Sequence, residues 1–142
     1  MMIEEEMNIL LIDDEEDIIN FFSFVARSLG YANIDTASTG EEALARVQNK
    51  SYDLITLDIQ MPGLSGLEVI AILRDVCPHA IIPIISGHIP DHISSEVAGC
   101  ADALINKPIS FDSFSWLLDA ADRICKAMHR IRSLGNLSLA VK

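Results

Sequence analysis

At 142 residues, half of them hydrophobic, the chain has the size of one ordinary domain and can bury a core without disulfide or metal staples. A formal net charge of −11 argues against direct nucleic-acid binding, which draws its affinity from neutralised phosphates. No apolar run approaches the roughly 20 residues needed to cross a bilayer, and the acidic start, residues 1–6, does not resemble a signal peptide, so no membrane association and a cytoplasmic location are expected.

Taken in chain order, short apolar runs alternate with helical patterns. Residues 7–12 (MNILLI) read as a fully buried strand, too short for a helix and stopped by Asp13. Residues 15–29 show helical periodicity through Ile18, Phe21 or Phe22, Val25 and Leu29, with an acidic first turn and Gly30 as the stop. Residues 33–37 give a second strand, and Ser38-Thr39-Gly40-Glu41-Glu42 opens a helix running to about Lys50. A third strand, 52–57 (YDLITL), ends at Asp58, and a helix over 67–76 is closed by Pro78. Residues 80–85 form a fourth strand, 91–99 a short helix and 102–106 a fifth strand, and a last helix runs from 111 to about 131. Pro83 is the misfit, because proline removes a ladder donor from a strand interior; a strand that begins late would resolve it.

Five such β-α units call for a parallel sheet with helices on both faces, since parallel strands need crossover connections and bury both sides. The expected fold class is α/β: a five-stranded parallel sheet of order 2-1-3-4-5, the flavodoxin-like three-layer sandwich. Its ligand site lies beyond the carboxyl ends of the strands, at the switch point between the first and third. The charge is uneven too. Residues 4–17 hold eight acidic side chains and no Lys or Arg. Cys77, Cys100 and Cys125 are widely spaced without a CxxC pair, which suggests inert thiols rather than a disulfide framework or zinc site.

The topology alone gathers a set of chemical groups. Asp13 and Asp14 leave strand 1, Asp58 leaves strand 3, Ser86 leaves strand 4 and Lys107 leaves strand 5, all at carboxyl ends and so at one rim. Three carboxylates there would repel one another, and oxygen-only donors favour a hard cation, Mg²⁺, over zinc. A lysine and a hydroxyl at the same rim could stabilise a transferring phosphoryl group, and a carboxylate so placed could act as its nucleophile. The bland readings are that Asp13 and Asp14 cap the first helix, that Asp58 is a strand-end turn residue, that Ser86 caps a helix, and that Lys107 is a solvated charge.

Four stretches in order carry a resemblance: Leu11-Ile12-Asp13-Asp14-Glu15, Asp58 through the loop Met61-Pro62-Gly63-Leu64-Ser65-Gly66, Ile85-Ser86-Gly87, and Asn106-Lys107-Pro108. Together, over about residues 7 to 127, they resemble the receiver-domain signature of two-component response regulators. The resemblance implies Asp58 as phospho-acceptor, Asp14 as direct metal carboxylate, Asp13 as its mostly water-mediated partner, and the Gln60 backbone carbonyl as a further Mg²⁺ ligand. It implies Ser86 as the switch hydroxyl and Lys107 as the phosphate-binding cation, followed by a cis peptide at Pro108. It also implies a sensor histidine kinase or phosphotransfer protein as donor, and a signalling switch rather than an enzyme. His88 and Gln60 occupy positions that tune dephosphorylation in that family, although a rim histidine is more often a bystander.

Departures from the pattern concern output, not phosphoryl chemistry. Leu104 stands where the family commonly has Tyr or Phe, Pro90 falls early in helix 4, and Cys100 replaces a usual Gly. The receiver is expected over 1–127, with 128–142 as a helical extension or tail. Along the last helix Phe114, Leu117, Ala121, Ile124, Met128 and Ile131 follow an a/d-like spacing. Its first half would be core face and the rest would fray, or the helix would project to pair with a partner; a homodimer through the helix 4/5 face or this helix is the corresponding expectation. Two other classes fit the topology. An Mg-dependent aspartyl-phosphate phosphatase wants a second carboxylate where Gln60 stands, and a flavodoxin-type cofactor binder wants a hydroxyl-rich loop where Asp13 to Asp17 form five consecutive acids.

Overall fold

The computed structural model of the protein describes residues 6–139, with side chains described through residue 135; the first five residues of the acidic start and the last three of the tail lie outside the described residues. The elements run β1 (Ile9–Ile12), α1 (Glu16–Ser28), β2 (Ile34–Ala37), α2 (Gly40–Asn49), β3 (Leu54–Leu57), α3 (Gly66–Val76), β4 (Pro83–Ser86), α4 (Ser95–Ala98), β5 (Ala103–Asn106) and α5 (Phe111–Leu139). All strand pairs are parallel, and the sheet order is β2-β1-β3-β4-β5. This is the expected topology, with its switch point between β1 and β3.

Both faces of the sheet are buried, and alternation along β1 divides the core. Ile9 and Leu11 pack with Phe22, Val25, Phe114 and Leu118 of α1 and α5. Leu10 and Ile12 pack on the opposite face with Val47 of α2 and Val69, Ile70 and Leu73 of α3. A continuous apolar strand is therefore required, because each successive side chain enters a different half of the core. Phe22 and Phe114 stack with ring centroids 4.1 Å apart and join α1 to α5. Leu29, expected on the core face of α1, is exposed; it sits at the C-cap, and Gly30 beyond it adopts φ +96° to turn the chain away.

β1 and β3 start two residues later than expected, at Ile9 and Leu54, and three further boundaries differ for identifiable reasons. β4 begins at Pro83, its first residue, where a missing N–H costs no ladder bond. Before it, Ile81 makes only an isolated bridge to Leu54, and the Ile82 N–H donates to Asp102 Oδ2 at 2.7 Å. Helix 4 was expected over 91–99 but is a single turn, Ser95–Ala98. Pro90 precedes it, and its true start is marked by Ser94, whose hydroxyl accepts the Val97 N–H at 3.2 Å. α5 continues past residue 131 to Leu139, and its a/d-like series divides. Phe114 and Ala121 of the series face the core, Leu117 is only partly buried and the fully buried position beside it is Leu118, while Ile124, Met128 and Ile131 are exposed.

Candidate functional site

β1 and β3 lie side by side, with Ile12 paired to Leu57, so the residues that follow them emerge together. The backbone continues the ladder one step further: the Asp13 N–H donates to Ala37 O at 3.0 Å and the Asp58 N–H donates to Ile12 O at 3.0 Å. β4 and β5 end in the same register, Ser86 opposite Asn106, and the Lys107 N–H donates to Ser86 O at 2.9 Å. The rim expected from topology is thereby assembled from four strand ends.

Asp13 and Asp58 are each 2% exposed and Ser86 is fully buried, while Asp14 faces solvent. Lys107 Nζ lies 2.7 Å from Asp13 Oδ2 and 3.0 Å from Asp58 Oδ2. The Ser86 hydroxyl donates to Asp58 Oδ1 at 2.8 Å, and the Gln60 N–H donates to the same oxygen at 2.9 Å. The Glu15 N–H donates to Asp13 Oδ1 at 2.9 Å. Of the bland readings, a capping role for Ser86 is displaced, since Ser94 caps α4, and Lys107 is no solvated charge, with only 10% of its side chain exposed. The peptide between Lys107 and Pro108 is cis, as the resemblance implied.

Burial pushes the Asp13 carboxyl above the usual carboxylate range, and Asp58 adds to the shift, while Lys107 and the Glu15 N–H pull against it. Burial works against the Lys107 charge, but hydrogen bonds to Asp13 and Asp58 outweigh it and hold its pKa above that of a free lysine. Oxygens of Asp13, Asp14 and Asp58 all lie within 4.8 Å of one another. Three carboxylates against one ammonium leave two negative charges (−3 + 1 = −2) in a space that small. The donor set is oxygen only and partly open to water, which fits Mg²⁺ and does not fit a thiolate- or imidazole-seeking metal.

Several contacts at the site go beyond the roles read from the sequence. Glu15 adds a third carboxylate to Lys107, at 3.8 Å; it stands directly after the acidic pair, but helix-start acids are common enough to hide it. Glu41, on α2, holds the loop after Asp58 by accepting the Leu64 N–H at 3.3 Å, a contact across the fold with no local signal. Gly66 closes that loop so tightly that a Cβ on it would lie 2.3 Å from the Ile59 Cα, and Gly63 turns it at φ +83°. His88 contributes its backbone carbonyl, 3.4 Å from the Ser86 hydroxyl.

The three cysteines are free thiols. Burial raises the Cys77 and Cys125 pKa values, the latter to about 11 with help from Asp53 and Asp122, so both are poor nucleophiles at neutral pH. Leu104 is exposed on β5.

A doubly wound parallel sheet with this acidic rim at its switch point defines a phospho-accepting signalling domain. The family model for the response regulator receiver domain matches residues 9–118, and the chain belongs to that family. The Bacillus subtilis alkaline phosphatase synthesis transcriptional regulatory protein PhoP is 37% identical over 105 residues, covering 72% of this chain and 42% of that protein. The Bacillus subtilis transcriptional regulatory protein YvrH is 35% identical over 107 residues, covering 75% of this chain and 45% of that one. The chain thus spans less than half the length of these curated relatives. Among solved structures, the Thermotoga maritima response regulator TrrA, determined with Mg²⁺ and BeF, superposes with a TM-score of 0.72 at 35% identity, covering 81% of this chain and 98% of that one. Vibrio cholerae CheY4 shares the fold with a TM-score of 0.73 at 24% identity, covering 82% and 99%. The phosphatase and flavodoxin-type alternatives are not favoured. Among the described residues no helix is long and apolar enough to cross a membrane.

Proposed function

We propose that Asp58 is the phosphoryl acceptor of this receiver and that Asp13, Asp14, Asp58 and the Gln60 backbone carbonyl hold its Mg²⁺. The observation that carries this reading is Lys107 Nζ, within 3.0 Å of both Asp13 and Asp58, with the Ser86 hydroxyl on the other Asp58 oxygen. The donor is a phosphohistidine of a sensor histidine kinase or phosphotransfer protein. An Asp58 carboxylate oxygen attacks phosphorus in line, an O–P bond forms as the N–P bond breaks, and the electron pair returns to the imidazole, which takes a proton from solvent. Bound Mg²⁺ supplies charge neutralisation for the phosphoryl oxygens and the acidic rim. Lys107 gives up its contact with the Asp58 carboxylate to a phosphoryl oxygen, and Ser86 can rotate its hydroxyl to donate to another.

That exchange of partners links chemistry to conformation. Ser86 ends β4, so a new hydrogen bond there biases the 87–94 segment and the one-turn α4 that follows, shifting the α4-β5-α5 face between two populated states. Leu104 on that face offers no hydroxyl, so the movement of α4 carries the signal. The same rim promotes phosphorylation from small acyl phosphates and later hydrolysis, and Gln60 and His88 stand two residues after Asp58 and Ser86, at positions that tune dephosphorylation in the family. We place the receiver at residues 1–127 with 128–142 as a C-terminal helical extension or tail, of which 140–142 lie outside the described residues, in the cytoplasm, and without direct nucleic-acid contact. Exposed Ile131 and Leu134 favour a second reading for the extension, self-association through α5; sedimentation of the full chain against a truncation at 127 tests it, and identical monomers remove it.

The test of the phosphoryl assignment is incubation with acetyl phosphate and Mg²⁺ followed by intact mass. One hydroxylamine-labile phosphoryl group is expected on the native chain and none on Asp58→Ala. Equal uptake by both would reject the assignment.

A further inference from the structure

At the base of the sheet, opposite the acidic rim, one side chain ties several stretches of chain together. Arg74, in the last turn of α3, donates from Nε to the Cys100 carbonyl at 2.9 Å. One terminal nitrogen donates to the Ala80 and Pro78 carbonyls at 2.7 and 3.2 Å. The other meets Asp102 Oδ2 at 2.7 Å. That carboxylate oxygen also accepts the Ile82 N–H at 2.7 Å, and the Asp102 N–H donates back to the Ile82 carbonyl at 2.9 Å. The end of α4, the start of β5 and the approach to β4 are therefore fixed to α3 through one guanidinium. A planar fork with donors on several sides can do this, whereas an ammonium is a point charge on a flexible stem. The Arg74 side chain is only 23% exposed, which keeps these bonds from competing water.

The segment that leaves the rim is held quite differently. Among the described residues, no backbone hydrogen bond joins 87–93 to another backbone group, and none of 87–94 packs into either half of the core. Its hydrogen bond to the rim is the Ser86 hydroxyl on the His88 carbonyl, at 3.4 Å. Val97, Cys100 and Ala101, by contrast, pack against the α2–α3 half of the core. The stretch 87–99 is thus a strap secured at two points: at Ser86, hydrogen-bonded to Asp58, and at Cys100, under Arg74.

We propose that Arg74 is the pivot of the switch, a positioning residue that holds Cys100 and Asp102 still, so that rebonding of Ser86 displaces 87–97 instead of dragging β5. The proposal rests on the phosphoryl reading above and adds where the movement stops. A pull at the rim end of the strap is taken up by its weakest part, since segments with few buried contacts and few backbone hydrogen bonds open at least cost. The Ser86 hydroxyl has one proton and cannot serve a phosphoryl oxygen and the His88 carbonyl together. Phosphorylation therefore releases 87–93 while the base stays clamped. Without the clamp Asp102 loses its counter-charge, and the same pull reaches Ile82 and β5.

The test is NMR of the full chain in Mg²⁺, with and without acetyl phosphate, once intact mass has shown one phosphoryl group per chain. In the native chain, phosphorylation is expected to move amide resonances of 87–97 while hydrogen exchange at the Ile82 and Asp102 amides stays unchanged. Arg74→Lys should take up the same single group. Phosphorylation should then speed exchange at those two amides by about tenfold, about 1.4 kcal/mol of local opening, and shrink the shifts at 87–97. Asp102→Asn, on a half-exposed side chain, keeps an oxygen for the Ile82 N–H and should show the same coupling in weaker form. A purely structural arginine would speed exchange equally in both states and leave the phosphorylation-dependent difference untouched, which would overturn the proposal. So would native exchange at Ile82 or Asp102 that changes on phosphorylation. Absence of phosphoryl uptake by the native chain would overturn the Asp58 assignment and the pivot with it, whereas either of the other results rejects the pivot alone.

Discussion

Replacing Lys107 with methionine keeps the length of the side chain and deletes the single ammonium between two buried carboxylates. At 2.7 and 3.0 Å and an effective dielectric of about 20, the two attractions amount to about 6 and 5.5 kcal/mol before desolvation. Desolvating the ammonium cancels several kcal/mol of this. What remains is the cost of leaving Asp13 and Asp58 buried without their cation, about 3–5 kcal/mol by analogy with other broken buried pairs. At about 3–4 °C per kcal/mol for a domain of this size, the Tm falls by about 10–20 °C. The assay is thermal unfolding by circular dichroism at pH 7 in EDTA and low salt. Two companion outcomes follow from the same charges. Asp13→Asn in the Lys107→Met background restores part of the loss, and the gain on adding Mg²⁺ is larger in Lys107→Met than in the native chain, because the site then carries three uncompensated carboxylates. A loss below about 1 kcal/mol, the value of a surface ion pair, would refute this electrostatic account of the rim.

Gly66→Ala should destabilise by about 1–3 kcal/mol in urea unfolding, since its Cβ would meet backbone 2.3 Å away, and should slow phosphoryl uptake by displacing the loop after Asp58. Tyr52 donates to Asp35 at 2.6 Å; burial and that bond hold its pKa above the usual tyrosine value, and burial pushes Tyr31 up to about 12. Both raised values, like that of Lys107, contribute stability that is complete below the unfolded pKa near 10 and lost as pH rises through the folded ones. Unfolding should therefore set in above about pH 10, and Tyr52→Phe should be less stable at pH 7 by about 1–2 kcal/mol with a shallower alkaline decline. Ser86→Ala should still take up one phosphoryl group by intact mass, yet show smaller phosphorylation-dependent shifts at 94–106 by NMR.

Much of this site was legible because its parts lie at ends of short apolar runs. An acid or lysine that stops a buried strand must emerge at the carboxyl rim, so Asp13, Asp58, Ser86 and Lys107 could be grouped before any contact was known. Elements whose limits depend on distant partners were harder. Helix 4 shrinks to one turn because 87–94 has no helical pattern of its own after Pro90, and Ser94 fixes the start locally. The last helix misled for a different reason. Apolar residues spaced by three and four occur on two adjacent stripes, and only contact with Phe22 selects Phe114, Leu118 and Ala121 as the buried one. Long-range braces such as Glu41 to Leu64 and Arg74 to the Cys100 and Ala80 carbonyls leave no periodic trace at all.

Borohydride trapping of the phosphorylated chain, followed by peptide mapping, reads the acceptor directly, because reduction of an acyl phosphate converts that aspartate to homoserine. The account predicts homoserine at position 58 and nowhere else, formed only when Mg²⁺ and a phosphodonor are both present. Homoserine at position 13 or 14, or none at any position after confirmed phosphoryl uptake, would contradict it.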